Sequence, residues 1–255
     1  MIADGLRLAV GTFTAVPVRA PARIDRSVAR TAMLVAPLAS LPIGVAAAMV
    51  GLVGGWAGLS LLVTAGLVIG VVALGSRGLH LDGLADTADG LAASYDRDRA
   101  LQIMRRGNTG PIGAATLVLV LLVQAAAAAA VLGRDWGPLA VGVLVCLGRS
   151  SLLISCVSGV PAARPDGLGA VVAGVVPRLP AAVGLFVAAA ASAGVLMLTG
   201  STWWLGVVAV LLGAVDVIGL VWRTSRRFGG VTGDVLGAGI ELFLAALLVV
   251  ASASL

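Results

Sequence analysis

The chain has 255 residues, of which 60% are hydrophobic and 11% are charged, and its mean hydropathy is +1.10. Soluble domains are roughly 45–50% apolar and about 25% charged, so this chain has too few polar side chains to cover a water-exposed surface of its size. An ordinary soluble enzyme, a disordered tail and a nucleic-acid-binding domain are therefore excluded. A polytopic membrane protein remains, in which lipid solvates the apolar excess.

The basic residues are all arginine and give a net charge of +5. They occur in small groups at the ends of apolar runs, a pattern that indicates membrane orientation rather than a nucleic-acid partner. Cys146 and Cys156 both lie inside one apolar run. We therefore expect packing thiols and neither a disulfide framework nor a zinc site.

Seven apolar runs are long enough to cross a bilayer of about 30 Å. Pro37 and Pro42 interrupt the first run and predict a kink. The sequence thus predicts an all-α bundle of about seven transmembrane helices in a single domain, residues 1–255. The predicted spans are 33–53, 57–75, 111–132, 138–158, 180–199, 203–222 and 235–254.

The arginines lie almost entirely on one side of this predicted bundle. Four segments carry all of them except Arg134 and Arg149, and seven spans place these segments on the same face: 1–32, 76–110, 159–179 and 223–234. The positive-inside rule then predicts a cytoplasmic N-terminus. Most acidic residues share that face, so most of the polar chemistry, including that of segment 76–110, is predicted to lie on the cytoplasmic side of the membrane.

The most informative stretch of this segment contains Asp82, Asp86 and Asp89. Their i, i+4, i+7 spacing puts three carboxylates on one helix face. Each neighbouring pair at about 6 Å would repel by roughly 2–3 kcal/mol, and a divalent cation would relieve that repulsion. Oxygen ligands favour Mg²⁺ or Mn²⁺ over zinc. A solvated helix face is the alternative interpretation.

Several nearby groups are candidates for phosphate or proton chemistry. His80, the only histidine, could ligate a metal, contact a phosphate, act as a base or be structural. A short amphipathic helix is predicted over 96–106, capped by Ser94 or Asp96. Arg105 or Arg106 could bind a phosphate there, and residues 107–110 open the next span with backbone amides that could receive an anion.

Two further segments on the same face, 163–169 and 226–234, combine arginine, glycine and aspartate, and a pair of turns is the simpler interpretation of them. Arg149, Asp216 and Glu241 lie inside predicted spans, where an ionisable group costs about 2.5–3.5 kcal/mol or more. Arg149 could form a structural pair with Asp216 or Glu241, or these residues could line a substrate cavity.

These motifs resemble those of the cobalamin synthase family, also called adenosylcobinamide-GDP ribazoletransferases. The resemblance extends from T-F-T-A-V-P-V at residues 12–18 to the last span. It rests on three motifs in order: H-L-D-G-L-A-D-T-A-D-G at 80–90; G-R-S-S at 148–151 with A-R-P-D-G-L-G at 163–169; and G-G-V-T-G-D-V-L-G-A at 229–238.

The resemblance implies a Mg²⁺-dependent, multi-pass enzyme of the cytoplasmic (inner) membrane, with segment 76–110 as its cytoplasmic catalytic loop. The 3′-hydroxyl of α-ribazole, or of its 5′-phosphate, would attack the cobinamide phosphate of adenosylcobinamide-GDP and release GMP. Adenosylcobalamin or its 5′-phosphate would form. The implied site has three groups: catalytic residues His80, Asp82, Asp86 and Asp89; metal ligands Asp82, Asp86 and Asp89; and substrate-binding residues Arg105, Arg106, Arg164, Thr232 and Asp234. The enzyme could also form a homo-oligomer.

The chain departs from the family pattern at two places. Many members carry an acid in the stretch that matches Arg106–Asn108, and many have a second acid where this chain has Leu244.

Three other functions are alternatives to this interpretation. A prenyltransferase would need a second aspartate cluster, and a CDP-alcohol phosphotransferase would need a longer acidic motif. A transporter is the non-enzymatic alternative, but its ionisable groups would gather at the midplane rather than in a loop.

Overall fold

A computed structural model describes residues 2–93 and 95–253, and within these ranges the chain folds into helices joined by turns. The helices are α1 Ile2–Phe13, α2 Arg26–Ala39, α3 Leu41–Trp56, α4 Leu61–Gly75, α5 Leu79–Ala93, α6 Arg97–Arg105, α7 Pro111–Leu132, α8 Gly137–Leu147, α9 Leu152–Ser155, α10 Gly167–Val172, α11 Arg178–Leu198, α12 Trp203–Phe228 and α13 Gly233–Ala251. A 3₁₀ turn, Gly148–Ser151, joins α8 to α9.

Six segments of the described chain are long and apolar enough to cross a membrane, or seven if the bent pair α4–α5 counts as one span. This confirms a polytopic helical membrane protein and places its spans close to those expected. Large apolar side chains are exposed along these helices, among them Leu119, Phe186 and Leu211. Such a surface is stable only in contact with lipid.

The first span contains the break that its prolines predict. α2 ends at Ala39 and α3 begins at Leu41, so that together they form one segment, Arg26–Trp56. Pro37 lies inside α2 and Pro42 in the first turn of α3, where a missing N–H has no helical partner to lose. Cys146 and Cys156 are buried, free thiols, as expected.

The second predicted span differs from the sequence expectation. α4 has only 15 residues, about 22 Å of helix, and α5 follows it at an angle of 89°. Arg77 and Gly78 make the corner with φ values of 57° and 69°, a left-handed conformation that glycine adopts easily. Most of segment 76–110 is therefore helical, and α5 packs against α13 and α7.

Two glycines bring α5 and α13 close together. A Cβ on Gly83 would lie 2.6 Å from the carbonyl oxygen of Asp234, and a Cβ on Gly237 would lie 3.0 Å from the Cα of His80. Small residues allow such close approach between membrane helices. The contact places the aspartates of α5 beside the start of α13.

Candidate active site

The three aspartates of the first motif lie on α5, but their carboxylates have different surroundings. Asp82 is exposed, whereas Asp86 and Asp89 are only 6% and 7% exposed. Asp86 lies within electrostatic range of the like charges of Asp82, Asp234 and Asp89 and of the opposite charge of Arg164. Asp86 is thus a buried carboxylate in a negative environment, as the repulsion argument from the sequence predicts.

Each carboxylate oxygen of Asp89 accepts one backbone amide at the start of α7. Its Oδ2 accepts from the amide of Gly110 at 2.7 Å, and its Oδ1 accepts from the amide of Gly113 at 2.8 Å. The sequence indicates that amides of residues 107–110 could receive an anion, and in the structure the Gly110 amide donates to the Asp89 carboxylate of the same chain. Charge at a helix N-terminus is stabilised by the helix dipole, so Asp89 joins α5 to α7.

The two glycine-containing segments on the predicted cytoplasmic face meet in space. The amide of Ala163 donates to the carbonyl of Val231 at 2.9 Å, and the amide of Val231 donates to the carbonyl of Pro161 at 2.9 Å. Gly169 packs on this junction, because a Cβ there would lie 2.8 Å from the Val231 oxygen. These are more than separate turns: each holds the other in position.

Thr232 and Asp234 open α13 at this junction. The Thr232 hydroxyl accepts from the amide of Val235 at 3.3 Å and donates to Oδ2 of Asp234 at 3.0 Å. The motif therefore caps the helix and fixes the Asp234 carboxylate. Asp82, Asp86 and Asp234 consequently face the same region from two helices.

Arg164 connects this acidic region to α6. Its Nη2 donates to the carbonyl of Leu101 at 2.8 Å, and its guanidinium is within electrostatic range of Asp234 and Asp86. Burial lowers the pKa of the Arg164 guanidinium from its ordinary value, and the charge of Asp234 opposes that shift. Its Nε is buried and has no hydrogen-bond partner among the described residues.

The predicted helix over 96–106 forms as α6. Asp96 caps it by accepting from the amide of Arg99 at 2.8 Å, while Ser94 lies outside the described residues. Leu101 and Met104 are buried, as expected. Arg105 pairs with Asp166 at 2.8 Å on the surface, whereas Arg106 is exposed at the end of the helix.

Two cavities adjoin this region. The larger, about 380 Å³, lies between α6 and the turn Ala163–Pro165, and Arg97, Arg105 and Arg164 line it. The smaller, about 170 Å³, is lined by His80, Asp82 and Asp234 together with Phe13 of α1. Arg164 lies between an arginine-lined pocket and an acidic chamber, an arrangement suited to a ligand that carries phosphates.

Deeper in the bundle, the ionisable residues form a buried polar group. Gln124 of α7 donates to Oε2 of Glu241 at 2.9 Å, and Oε1 of Glu241 is 3.9 Å from Nδ1 of His80. Arg149 is fully buried in the 3₁₀ turn and interacts electrostatically with Glu241. Of the two pairings considered for Arg149, the structure favours Glu241, because Asp216 is exposed on α12.

The structure therefore brings together most of the predicted site residues. His80, Asp82, Asp86, Arg164, Thr232 and Asp234 border one region, with Arg105 at the adjoining pocket and Asp89 at a supporting position. Sequence analysis did not single out Arg97, whose Nε and Nη2 donate to the carbonyls of Phe228 and Ala163. It also missed Gln124, although a lone amide inside a 22-residue apolar helix is a recognisable signal.

The carboxylates of the acidic region are oxygen donors of the kind that bind Mg²⁺. Among residues 2–93 and 95–253, no three His, Cys, Asp or Glu side chains are grouped so that they could hold an ion by themselves. Mg²⁺ commonly uses only one or two protein carboxylates, with water and substrate phosphates completing its shell. One or two of the carboxylates of Asp82, Asp86 and Asp234 would fit that incomplete shell, whereas both oxygens of Asp89 already accept a backbone amide.

Comparison with known proteins gives a consistent result. The family model described as cobalamin-5-phosphate synthase matches residues 5–252. A relative from Nocardioides sp. is 51% identical over 96% of this chain and 96% of its own length. Relatives from Frankia casuarinae, 40% identical over 96% of this chain and 92% of their own, and Klebsiella pneumoniae, 34% identical over 91% and 94%, match as well.

All three relatives carry the name adenosylcobinamide-GDP ribazoletransferase. No solved structure matches the chain. The family match covers all three motifs and every residue of the acidic region described above. The chain therefore belongs to the cobalamin-5-phosphate synthase family.

Proposed function

We propose that this chain joins the two parts of a cobalamin at the membrane, as an adenosylcobinamide-GDP ribazoletransferase. The observation that carries the proposal is the meeting of Asp82 and Asp86 on α5 with Asp234 on α13, beside the guanidinium of Arg164. Carboxylates next to an arginine-lined pocket are the groups that phosphoryl transfer requires. The substrates are inferred from the family to which the chain belongs.

The proposed reaction is a displacement at phosphorus. The 3′-hydroxyl oxygen of α-ribazole, or of its 5′-phosphate, forms a bond to the phosphorus attached to cobinamide. The bond from that phosphorus to the bridging oxygen breaks, and GMP leaves with this oxygen. The hydroxyl proton passes to a base of the protein, so adenosylcobalamin or its 5′-phosphate is formed without an added oxidant or reductant.

One or two of the carboxylates of Asp82, Asp86 and Asp234 would hold Mg²⁺, and the ion would neutralise phosphate charge and polarise the phosphorus. Arg164 would orient the phosphates, because its guanidinium lies beside the acidic region. Thr232 contributes by fixing the carboxylate of Asp234 at 3.0 Å. Arg105 would add positive charge at the rim, whereas the exposed Arg106 has a weaker case for contact.

His80 and Asp82 are the two candidates for the base that takes the proton. Both line the 170 Å³ chamber with Asp234, so a hydroxyl bound there would lie near either group. Asp89 has a supporting role in this proposal, because its carboxylate already holds the start of α7.

The proposed location is the cytoplasmic membrane, with the reaction on the cytoplasmic face. The arginine distribution supports this orientation through the positive-inside rule. The number of chains in the working enzyme is left open.

The direct experiment uses purified full-length protein with adenosylcobinamide-GDP, α-ribazole and Mg²⁺. We expect GMP release and a cobalamin product in equal amounts, loss of both with EDTA, and recovery when Mg²⁺ is restored. Asp86→Ala should abolish turnover. Asp135→Ala serves as a control, because Asp135 is exposed in the turn between α7 and α8. Full activity in Asp86→Ala would contradict the assignment, and substrate flux in proteoliposomes without any product would favour a transporter.

A further inference from the structure

The arginine-lined pocket beside the acidic region has a second set of polar groups. Asp98, Gln102 and Arg105 line it from α6, and their i, i+4, i+7 spacing puts them on one helix face. The turn Ala163–Pro165 forms the opposite wall. The pocket therefore has arginines on both of its walls and a carboxylate on the α6 wall.

The volume of the pocket suits one part of the proposed substrate. Ligand pockets usually measure about 300–1,000 Å³, and this pocket measures about 380 Å³. The acidic chamber, at about 170 Å³, is too small for a nucleotide and fits only the reacting groups. A nucleotide bound in the larger pocket would have its phosphates next to Arg164, which is also within range of Asp234 and Asp86.

The charged groups of the pocket differ in how they are engaged. Arg97 is committed to the Phe228 and Ala163 carbonyls and forms part of the wall. Arg105 makes only an exposed pair with Asp166, and such pairs contribute little to stability. Arg164 retains a buried Nε without a partner. Arg105 can therefore turn to a phosphate at small cost, whereas Arg164 is held at the pocket wall by its bond to the Leu101 carbonyl and would meet a phosphate from there.

Asp98 is exposed and makes no ion pair within residues 2–93 and 95–253. Its position in the first turn of α6 favours a negative charge, but that does not explain why it lines the pocket with Gln102. An ionised carboxylate accepts two hydrogen bonds side by side. Guanine presents two adjacent donors, its ring N–H and its exocyclic amino group, whereas hypoxanthine has only the first.

We propose that this pocket binds the guanine nucleotide that leaves in the reaction, with Asp98 accepting from the base and Arg105 and Arg164 holding its phosphates. The inference rests on the proposed function and adds a specific place for one substrate part. Gln102, one turn from Asp98, lines the same pocket, and its amide would donate to the guanine carbonyl oxygen. The incoming ribazole phosphate is the other nucleotide that could occupy the pocket, and the test separates the two.

The test compares substrates with GDP and IDP linked to adenosylcobinamide, using the full-length protein in nanodiscs. We expect the wild type to prefer the guanine substrate in kcat/KM by about tenfold, the effect of one hydrogen bond to a charged group. Asp98→Ala should remove most of this preference by raising KM for the guanine substrate, with kcat little changed. Asp98→Glu should restore part of it.

Arg105→Gln should raise KM for both corrinoid substrates by the same factor and leave the preference intact, because phosphates are common to both. Arg99→Gln on the same helix does not line the pocket and serves as the matched control. Calorimetric titration of GMP should show weaker binding in Asp98→Ala and Arg105→Gln than in Arg99→Gln.

An unchanged guanine preference in Asp98→Ala would overturn the inference. So would a rise in KM for α-ribazole phosphate alone, since the pocket would then hold the incoming nucleotide. Absence of GMP release by the wild type would instead contradict the proposed function. GMP titration does not depend on turnover, so the two failures can be told apart.

Discussion

Asp86 and Asp89 are one turn apart on α5, yet their carboxylates have opposite surroundings. Asp86 is near the negative charges of Asp82 and Asp234, whereas Asp89 accepts two backbone amides. Electrostatic repulsion at the first position and hydrogen bonding at the second predict different consequences when the charge is removed. The sequence spacing predicts the same role for both aspartates, and only their contacts in the structure distinguish them.

Asp86→Asn should abolish turnover while leaving the thermal unfolding temperature unchanged or raised, because a repulsive charge is removed. Asp89→Ala should lower the free energy of unfolding by about 1.5–3 kcal/mol for each lost hydrogen bond to the charged group. Thermal unfolding in detergent and GMP release, measured on the same preparations, check both. Equal loss of stability in the two variants would contradict this division of roles.

The buried polar group gives a further prediction for single residues. Glu241→Leu should destabilise the protein by about 3–5 kcal/mol, because it removes the buried carboxylate with which the fully buried Arg149 interacts electrostatically. The double variant Glu241→Leu with Arg149→Met should recover much of that loss. A double-mutant cycle of unfolding free energies measures the coupling, and additive losses would show that the two side chains act independently.

At the scale of the helices, the site depends on how closely α5 approaches α13. Gly83→Ala places a methyl group 2.6 Å from the Asp234 carbonyl oxygen, so the helices must separate. We expect a loss of stability of about 1–3 kcal/mol and a large fall in kcat. Gly70→Ala on α4 is the matched control, because no atom lies within 4 Å of its Cβ position. A neutral Gly83→Ala would show that the approach is not needed.

The helices show how far the sequence alone predicts this fold. Long apolar runs and prolines located the spans, since lipid requires continuous apolar helix, and Asp96 marked the start of α6. The corner at Arg77–Gly78 was not predicted, because a short apolar run ending at Gly75 looks like a complete span. The contacts of Asp89 with Gly110 and of Ala163 with Val231 join residues far apart in sequence, and no local pattern encodes them.

At the scale of the whole molecule, the bent pair α4–α5 decides the topology. With a cytoplasmic N-terminus, seven crossings place the C-terminus outside the cytoplasm, and six place it inside. We expect a phosphatase fused after residue 255 to be active in the periplasm and a fluorescent reporter at the same position to be dark. The reverse pattern would mean that α4 and α5 form a re-entrant pair.

The position of α13 at the end of the described chain affects when the site can assemble during synthesis. α13 contributes Asp234, Gly237 and Glu241 and packs against α5, α7 and α12. Chains are made from the N-terminus onward, so the earlier spans enter the membrane with an unfinished centre. We therefore expect catalytic competence only after residues 233–251 have left the ribosome, and no partial activity in a chain that ends before α13.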